Sequence, residues 1–186
     1  MRRFDAPTAN RYAAAMEPTK RAAGDLAPPE PHLHVALVFP EIPGNSGNVG
    51  RTCLAVGARL HLIEPLGFSL ADRFLKRAGL DYWVHVDLVV WKDWPTFEAA
   101  LPGLGRPFAF TAEARRELWQ VEFPPAPQGT VLLFGREGGG LPPEIRQAYR
   151  GDAVRIPMRP GTPVRSLNLS TAVGIGVYAA LRGGHG

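Results

Sequence analysis

The chain has 186 residues, 45% of them hydrophobic, with 21 Lys and Arg against 17 Asp and Glu and a formal net charge of +4. This fits one domain with enough apolar material for a core, and the small basic excess permits an anionic partner without requiring one. A lone Cys53 excludes an intrachain disulfide, histidines 32, 34, 61, 85 and 185 lack a zinc-binding spacing, and no apolar run is long enough to span a bilayer.

In chain order, residues 1–31 are rich in alanine, proline and charge and read as a flexible extension ahead of a domain over 32–182 and a short tail over 183–186. The opening lacks the apolar core of a secretory signal, so a cytoplasmic protein without metal or membrane partner is expected. Leu33–Phe39 reads as a buried strand, and Asn45 or Ser46 as the cap of a helix running to about Gly57. His32 and His34 alternate onto one face of that strand and read as a weak edge pair. Arg59–Ile63 follows as a strand, giving a βαβ opening with a right-handed crossover.

Leu70–Arg77 reads as a short helix, Val86–Val90 as a strand, Trp94–Leu101 as a helix and Pro107–Phe110 as a strand. Val131–Phe134 is a strong buried strand, and Pro142 is placed as the first residue of a helix to Tyr149. A strand over Asp152–Ile156 and a helix over Asn168–Leu181 complete the pattern. Strands alternating with helices predict a three-layer α/β domain with a mostly parallel sheet. The last helix is apolar or small almost all round, which predicts burial on several sides, within one subunit or against a second.

From Arg136 onward seven arginines face three acidic residues, leaving the rest of the chain neutral overall. A phosphate-rich ligand would therefore meet the C-terminal third. Three loops after strands carry the candidate chemistry, where ligands bind in open α/β sheets. Pro40–Arg51 offers glycines for close approach and the polar Asn45, Ser46 and Asn48, with Arg51 placed just inside the helix; a capping loop with a surface arginine fits equally. Phe134–Leu141 is glycine-rich but lacks the Lys-Ser/Thr ending of a phosphate loop, and Glu137 disfavours phosphate, so an uncharged or zwitterionic adenosine cofactor fits better than ATP; the alternative is a tight turn with Glu137 solvated or capping backbone amides. Ile156–Ser170 sets apolar Ile156 and Met158 for an adenine, Arg159 and Arg165 for RNA phosphates, and Ser166 and Asn168 at a helix start; a long proline-containing loop with a helix cap is the alternative, and capping and function can coexist.

The stretches PEIPGNSGNVGRTC, HLIEPLGF with KRAGLDYW, FGREGGGLP and IPMRPGTPVRSLNLSTAVGIGVYAA resemble, in this order, the motifs of the SPOUT (trefoil-knot) RNA 2'-O-methyltransferases. The resemblance covers about Leu33 to Leu181. It implies a deep C-terminal trefoil knot, an exception to unknotted connectivity, and S-adenosyl-L-methionine as cofactor. It implies cofactor contacts at Thr111, Ala112, Glu113, Gly135, Glu137, Ile156, Met158, Ser166 and Leu167, and catalytic roles for Arg51, Ser166, Asn168 and Asn45. Arg51 would orient the 2'-hydroxyl, because a guanidinium stays protonated and offers no acceptor.

Arg136, Arg159 and Arg165 are the expected RNA contacts, and a homodimer joined by the last helices is implied. EPLGF and the small size resemble the branch that methylates the wobble cytidine or uridine of tRNA, whereas Arg136 with Gly138 and Gly139 matches the wider group. The alternatives are another position in tRNA or rRNA, or a non-catalytic RNA-binding knot protein.

Overall fold

The computed structural model describes residues 32–70 and 81–182. The extension expected over 1–31, the tail over 183–186 and all but Leu70 of the helix expected over Leu70–Arg77 lie outside the described residues.

Six strands form one sheet: β1 (Leu33–Val38), β2 (Arg59–Ile63), β3 (Leu88–Trp91), β4 (Arg106–Phe110), β5 (Thr130–Phe134) and β6 (Ala153–Val154). Their spatial order is β3-β2-β1-β5-β4-β6, and every neighbouring pair is parallel. Parallel neighbours need crossovers, and helices supply most of them. Helix α1 (Pro43–Val56) joins β1 to β2, α2 (Trp94–Leu104) joins β3 to β4, α3 (Pro143–Ala148) lies between β5 and β6, and α4 (Leu169–Arg182) ends the described chain.

The three layers follow from the two-residue period of the strands. Val35, Leu37, Leu62, Phe110 and Leu132 face one side and pack with Val49 and Cys53 of α1 and Val173 and Val177 of α4. Ala36, Val38, Ile63 and Leu133 face the other, against Phe97 and Leu101 of α2 and Ile145 of α3. Every position of β1 is buried. Its near-continuous apolar run, rather than an alternating one, is the mark of a strand covered on both faces.

β1 therefore lies in the middle of the sheet, and the weak edge pair expected of His32 and His34 is not what forms. His34 is buried and its Nδ1 lies 3.1 Å from Nε2 of the equally buried His61 on β2. Trp91 Nε1 donates to His61 Nδ1 at 2.9 Å, so His61 carries its proton on Nε2 and donates it to His34.

Other boundaries shift for local reasons. A 3-10 turn at Asp81–His85 moves the third strand from Val86–Val90 to Leu88–Trp91. The helix expected at Pro142 starts one residue later: Pro142, held extended at φ −50 and ψ 145 by the proline after it, is the cap. The strand expected over Asp152–Ile156 shrinks to two residues. Asp152 ends a 3-10 turn and pairs with Arg106, while the Arg155 N–H turns to Arg116 O at 2.9 Å. Helix α2 passes through Pro102 to Leu104, three residues beyond expectation, and the Gly105 N–H closes it on Leu101 O at 3.1 Å.

Candidate functional site

The C-terminal ends of β1, β4, β5 and β6 point to one end of the sheet, so the loops after them meet there. They enclose a cleft of about 640 Å³, within the roughly 300–1,000 Å³ of small-molecule sites. Its floor is apolar: Phe110 and Phe134 stack with ring centroids 4.5 Å apart, beside Leu141, Val154 and Ala172. Neither phenylalanine is among the expected site residues, although Phe134 opens the second candidate loop and Phe110 immediately precedes Thr111.

The first loop is organised by the second. Helix α1 has Ile42 as its cap, with no side-chain bond from that residue. The missing acceptor comes from Glu137, whose carboxylate accepts from Glu41 N–H at 2.8 Å, Ile42 N–H at 3.2 Å and Asn45 Nδ2 at 2.9 Å. A carboxylate at the positive end of α1 is favourable. Glu41 returns the contact, accepting from Gly138 N–H at 3.2 Å and lying 3.8 Å from Arg136.

The expected cap at Asn45 or Ser46 is thereby corrected. Pro43, with its fixed φ, opens the helix, and both residues are buried in its first turn. Arg51 consequently sits in the third turn of α1 rather than near its start.

Gly135 and Gly140 explain the glycine-rich second loop. A Cβ on Gly135 would lie 1.9 Å from the backbone of Gly140, and Gly140 has φ +66. The turn is closed by the Gly140 N–H donating to Arg136 O at 2.8 Å. Only glycines allow this doubling back, which brings backbone to the cleft floor.

The third loop ends at Asn168, which caps α4. Its Oδ1 accepts from Ser170 N–H at 2.9 Å and Ser170 Oγ at 2.7 Å, while its Nδ2 donates to Asn45 Oδ1 at 2.9 Å. A continuous path of hydrogen bonds thus runs from Glu137 through Asn45 and Asn168 into α4.

All nine residues expected to hold the cofactor line this one cleft: Thr111, Ala112, Glu113, Gly135, Glu137, Ile156, Met158, Ser166 and Leu167. Asn45, Asn168, Arg136 and Arg165 line it as well. Arg51 and Arg159 do not. Arg51 is exposed, with its guanidinium 5.3 Å from the Tyr82 ring centroid, and Tyr82 Oη donates to Gly47 O at 3.2 Å. The neighbouring Trp83 covers Gly50 so closely that a Cβ there would meet its ring at 2.3 Å. The Asp81–His85 turn therefore seats α1 and holds Arg51.

Arg146, missed from sequence, lines the cleft and forms an ion pair with Glu113. Only its place in the basic C-terminal third hinted at it. Cys53 offers no chemistry here, because burial pushes its thiol up to about 12.

An all-parallel α/β sheet with a cleft of nucleoside size at its C-terminal edge, joined by loops distant in sequence, defines the class. The model of the SpoU rRNA methylase family matches residues 32–178, and the chain belongs to that family. A tRNA (cytidine(34)-2'-O)-methyltransferase of Burkholderia ambifaria is 47% identical over 152 residues, 81% of this chain and 94% of that protein. A solved structure reported with insights into the 2-OH methylation of C/U34 on tRNA shares 50% identity at a TM-score of 0.73, covering 81% of this chain and 95% of that one. An AdoMet-bound rRNA methyltransferase of Sinorhizobium meliloti shares 26% identity at a TM-score of 0.70, over 84% of this chain and 58% of that one. The fold is the knotted α/β fold of these methyltransferases, as the motifs implied. Use of S-adenosyl-L-methionine is a property of the family.

Proposed function

We propose that this protein methylates the ribose 2'-hydroxyl of the tRNA wobble nucleotide, cytidine or uridine 34, using S-adenosyl-L-methionine. The observation that carries the reading is the meeting of all nine expected cofactor residues on one cleft. The choice of nucleotide rests on similarity: the relatives named for position 34 are 47% and 50% identical, against 26% for the rRNA enzyme.

The residues present fit the cofactor. The Phe110–Phe134 floor, with Ile156 and Met158, suits an adenine, and the bare backbone at Gly135 allows close approach. Bound there, S-adenosyl-L-methionine supplies an electrophilic methyl group on a sulfonium whose leaving group is a neutral thioether.

The chain's own part is alignment and electrostatics. Asn45 and Asn168 fix the mouth of the cleft, and Ser166 presents an exposed hydroxyl beside them. Glu137 acts through Asn45: its carboxylate is spent on α1, so it is a positioning residue more than a cofactor ligand. Arg51 meets the RNA from outside the single-chain cleft, orienting the ribose while Tyr82 holds its guanidinium. Arg136 and Arg165 on the cleft wall, and Arg159 beyond it, contact phosphates.

We assign the chain one domain over 32–182, working as a homodimer in the cytoplasm, where its tRNA is found. Exposed Tyr178 on α4 and Leu54 on α1, two helices that pack together, support the dimer. No helix among the described residues is long and apolar enough to cross a membrane.

The test is transfer of a labelled methyl group to tRNA transcripts that differ only at nucleotide 34. A ribose transcript should accept one methyl group, and a transcript with 2'-deoxyribose at that nucleotide should accept none. Equal labelling of both would overturn the reading.

A further inference from the structure

Beside the cofactor cleft lies a second cavity of about 520 Å³ whose wall carries four arginines. Arg115 and Arg116 belong to the segment after β4, Arg146 to α3 and Arg150 to the turn that follows it. Among the described residues that line it, Glu113 is the one carboxylate, and it is paired with Arg146. Two acids flanking these segments are engaged elsewhere: Glu117 bonds Arg155 at 2.7 Å and Asp152 bonds Arg106 at 2.7 Å. Arg115, Arg116 and Arg150 are left on the cavity wall with no ion pair among the described residues.

The arginines are also short of acceptors. Nε and Nη2 of Arg116 and Nε of Arg146 are buried and meet no hydrogen-bond partner among the described residues. The backbone of Arg116 is anchored beside the cavity, its carbonyl accepting from Arg155 N–H at 2.9 Å. Gathered like charges with buried, unmet donors are stabilised by an anion, and planar guanidinium forks match phosphate oxygens in pairs.

We propose that this cavity binds a phosphodiester of the RNA substrate, at a nucleotide other than the one that reacts. The inference rests on the RNA-modifying reading above and goes beyond its phosphate contacts at Arg136, Arg159 and Arg165. The cavity shares Thr111, Glu113 and Arg146 with the cofactor cleft, so a strand with its ribose at the cleft mouth runs beside it. Arg115 and Arg150 are exposed, open to a macromolecule as well as to a small anion. The Arg146–Glu113 pair forms the wall between the two sites.

The experiment compares Arg115→Gln and Arg150→Gln with wild type and with Lys92→Gln, a control beside β3 at the opposite edge of the sheet. tRNA binding is followed by fluorescence anisotropy over a range of KCl, and S-adenosyl-L-methionine binding by calorimetry. Both exposed arginines are chosen because their loss should leave the melting temperature unchanged. Each should raise the tRNA Kd five- to tenfold at 0.1 M KCl and make the slope of log K against log salt shallower by about 0.7–0.9. KM for tRNA should rise with kcat and cofactor affinity held, and Lys92→Gln should behave as wild type.

Unchanged tRNA affinity and slope in both variants would overturn the site. So would a loss of cofactor affinity with RNA binding intact, which would make the cavity part of the cofactor cleft. Wild type that binds tRNA through these arginines but methylates another nucleotide would uphold the site and sink position 34. Wild type that binds no RNA would sink both.

Discussion

Asn168 donates to Asn45 at 2.9 Å across 123 residues of sequence, and Asn45 donates in turn to Glu137 at 2.9 Å. One asparagine is thus held between the loop after β5 and the start of α4, and three loops are locked by two side-chain bonds. In Asn45→Ala both are lost at a buried position, which should cost about 1–3 kcal/mol. The mouth of the cleft should loosen too, lowering kcat on the order of 100-fold through misalignment. Thermal melts and single-turnover kinetics on the same protein check the two effects. Full activity with the lower melting temperature would show that the lock is structural alone.

Glu137 serves the N-terminus of α1. Glu137→Gln keeps an acceptor but removes the charge that favours that helix end, a loss of about 1 kcal/mol in urea unfolding. Cofactor affinity should fall by less than it does for a change in the cleft floor such as Phe134→Ala, because both carboxylate oxygens already face Glu41, Ile42 and Asn45. A cofactor Kd that collapses while stability holds would make Glu137 a direct ligand.

Two glycines should respond in opposite ways. Gly135→Ala drives a methyl group to 1.9 Å from the Gly140 backbone, whereas Gly44 has nothing within 4 Å of its virtual Cβ. The first should destabilise by about 2–4 kcal/mol and abolish cofactor binding. The second should be neutral or stabilise by about 0.5 kcal/mol, as alanine suits a helix better than glycine. Urea unfolding of the pair decides it. A benign Gly135→Ala would mean the turn opens freely.

The buried histidine pair sets an acid limit. Burial, with His34 and Arg59 nearby, holds His61 well below its ordinary value, so it is neutral when folded. The unfolded chain binds a proton there below about pH 6.5, and the folded chain does not. Stability is therefore level above that pH and falls as the pH drops below it, at a limiting slope of about 1.4 kcal/mol per unit. Unfolding free energies at pH 7.5 and 5.5 should diverge in wild type and draw together in His61→Gln. An unchanged difference would place the acid sensitivity elsewhere.

Much of the fold was legible because strand burial is written as uninterrupted apolar runs. Arg59–Ile63 forms the strand expected of it, and Leu33–Phe39 and Val131–Phe134 each differ by one residue. Boundaries failed where a distant partner decides them. The start of α1 depends on a carboxylate 95 residues away, and His34 is central because β5 pairs beside it. The residues expected to hold the cofactor came from motif resemblance, and the folded chain gathers them on one cleft. The Phe110–Phe134 floor, the Arg146 wall and the arginine cavity arise from sheet order, which puts β4 between β5 and β6 and is not encoded in any local pattern.

The central claim is tested most directly by position-resolved mapping of 2'-O-methyl groups on total small RNA from cells lacking this gene. The RNA is incubated with purified protein and S-adenosyl-L-methionine, with Arg51→Ala in parallel. The account predicts new methylation confined to nucleotide 34 of tRNA, lost in the variant while its cofactor Kd stays at the wild-type value. Methylation at another tRNA position, or only in rRNA, would contradict it.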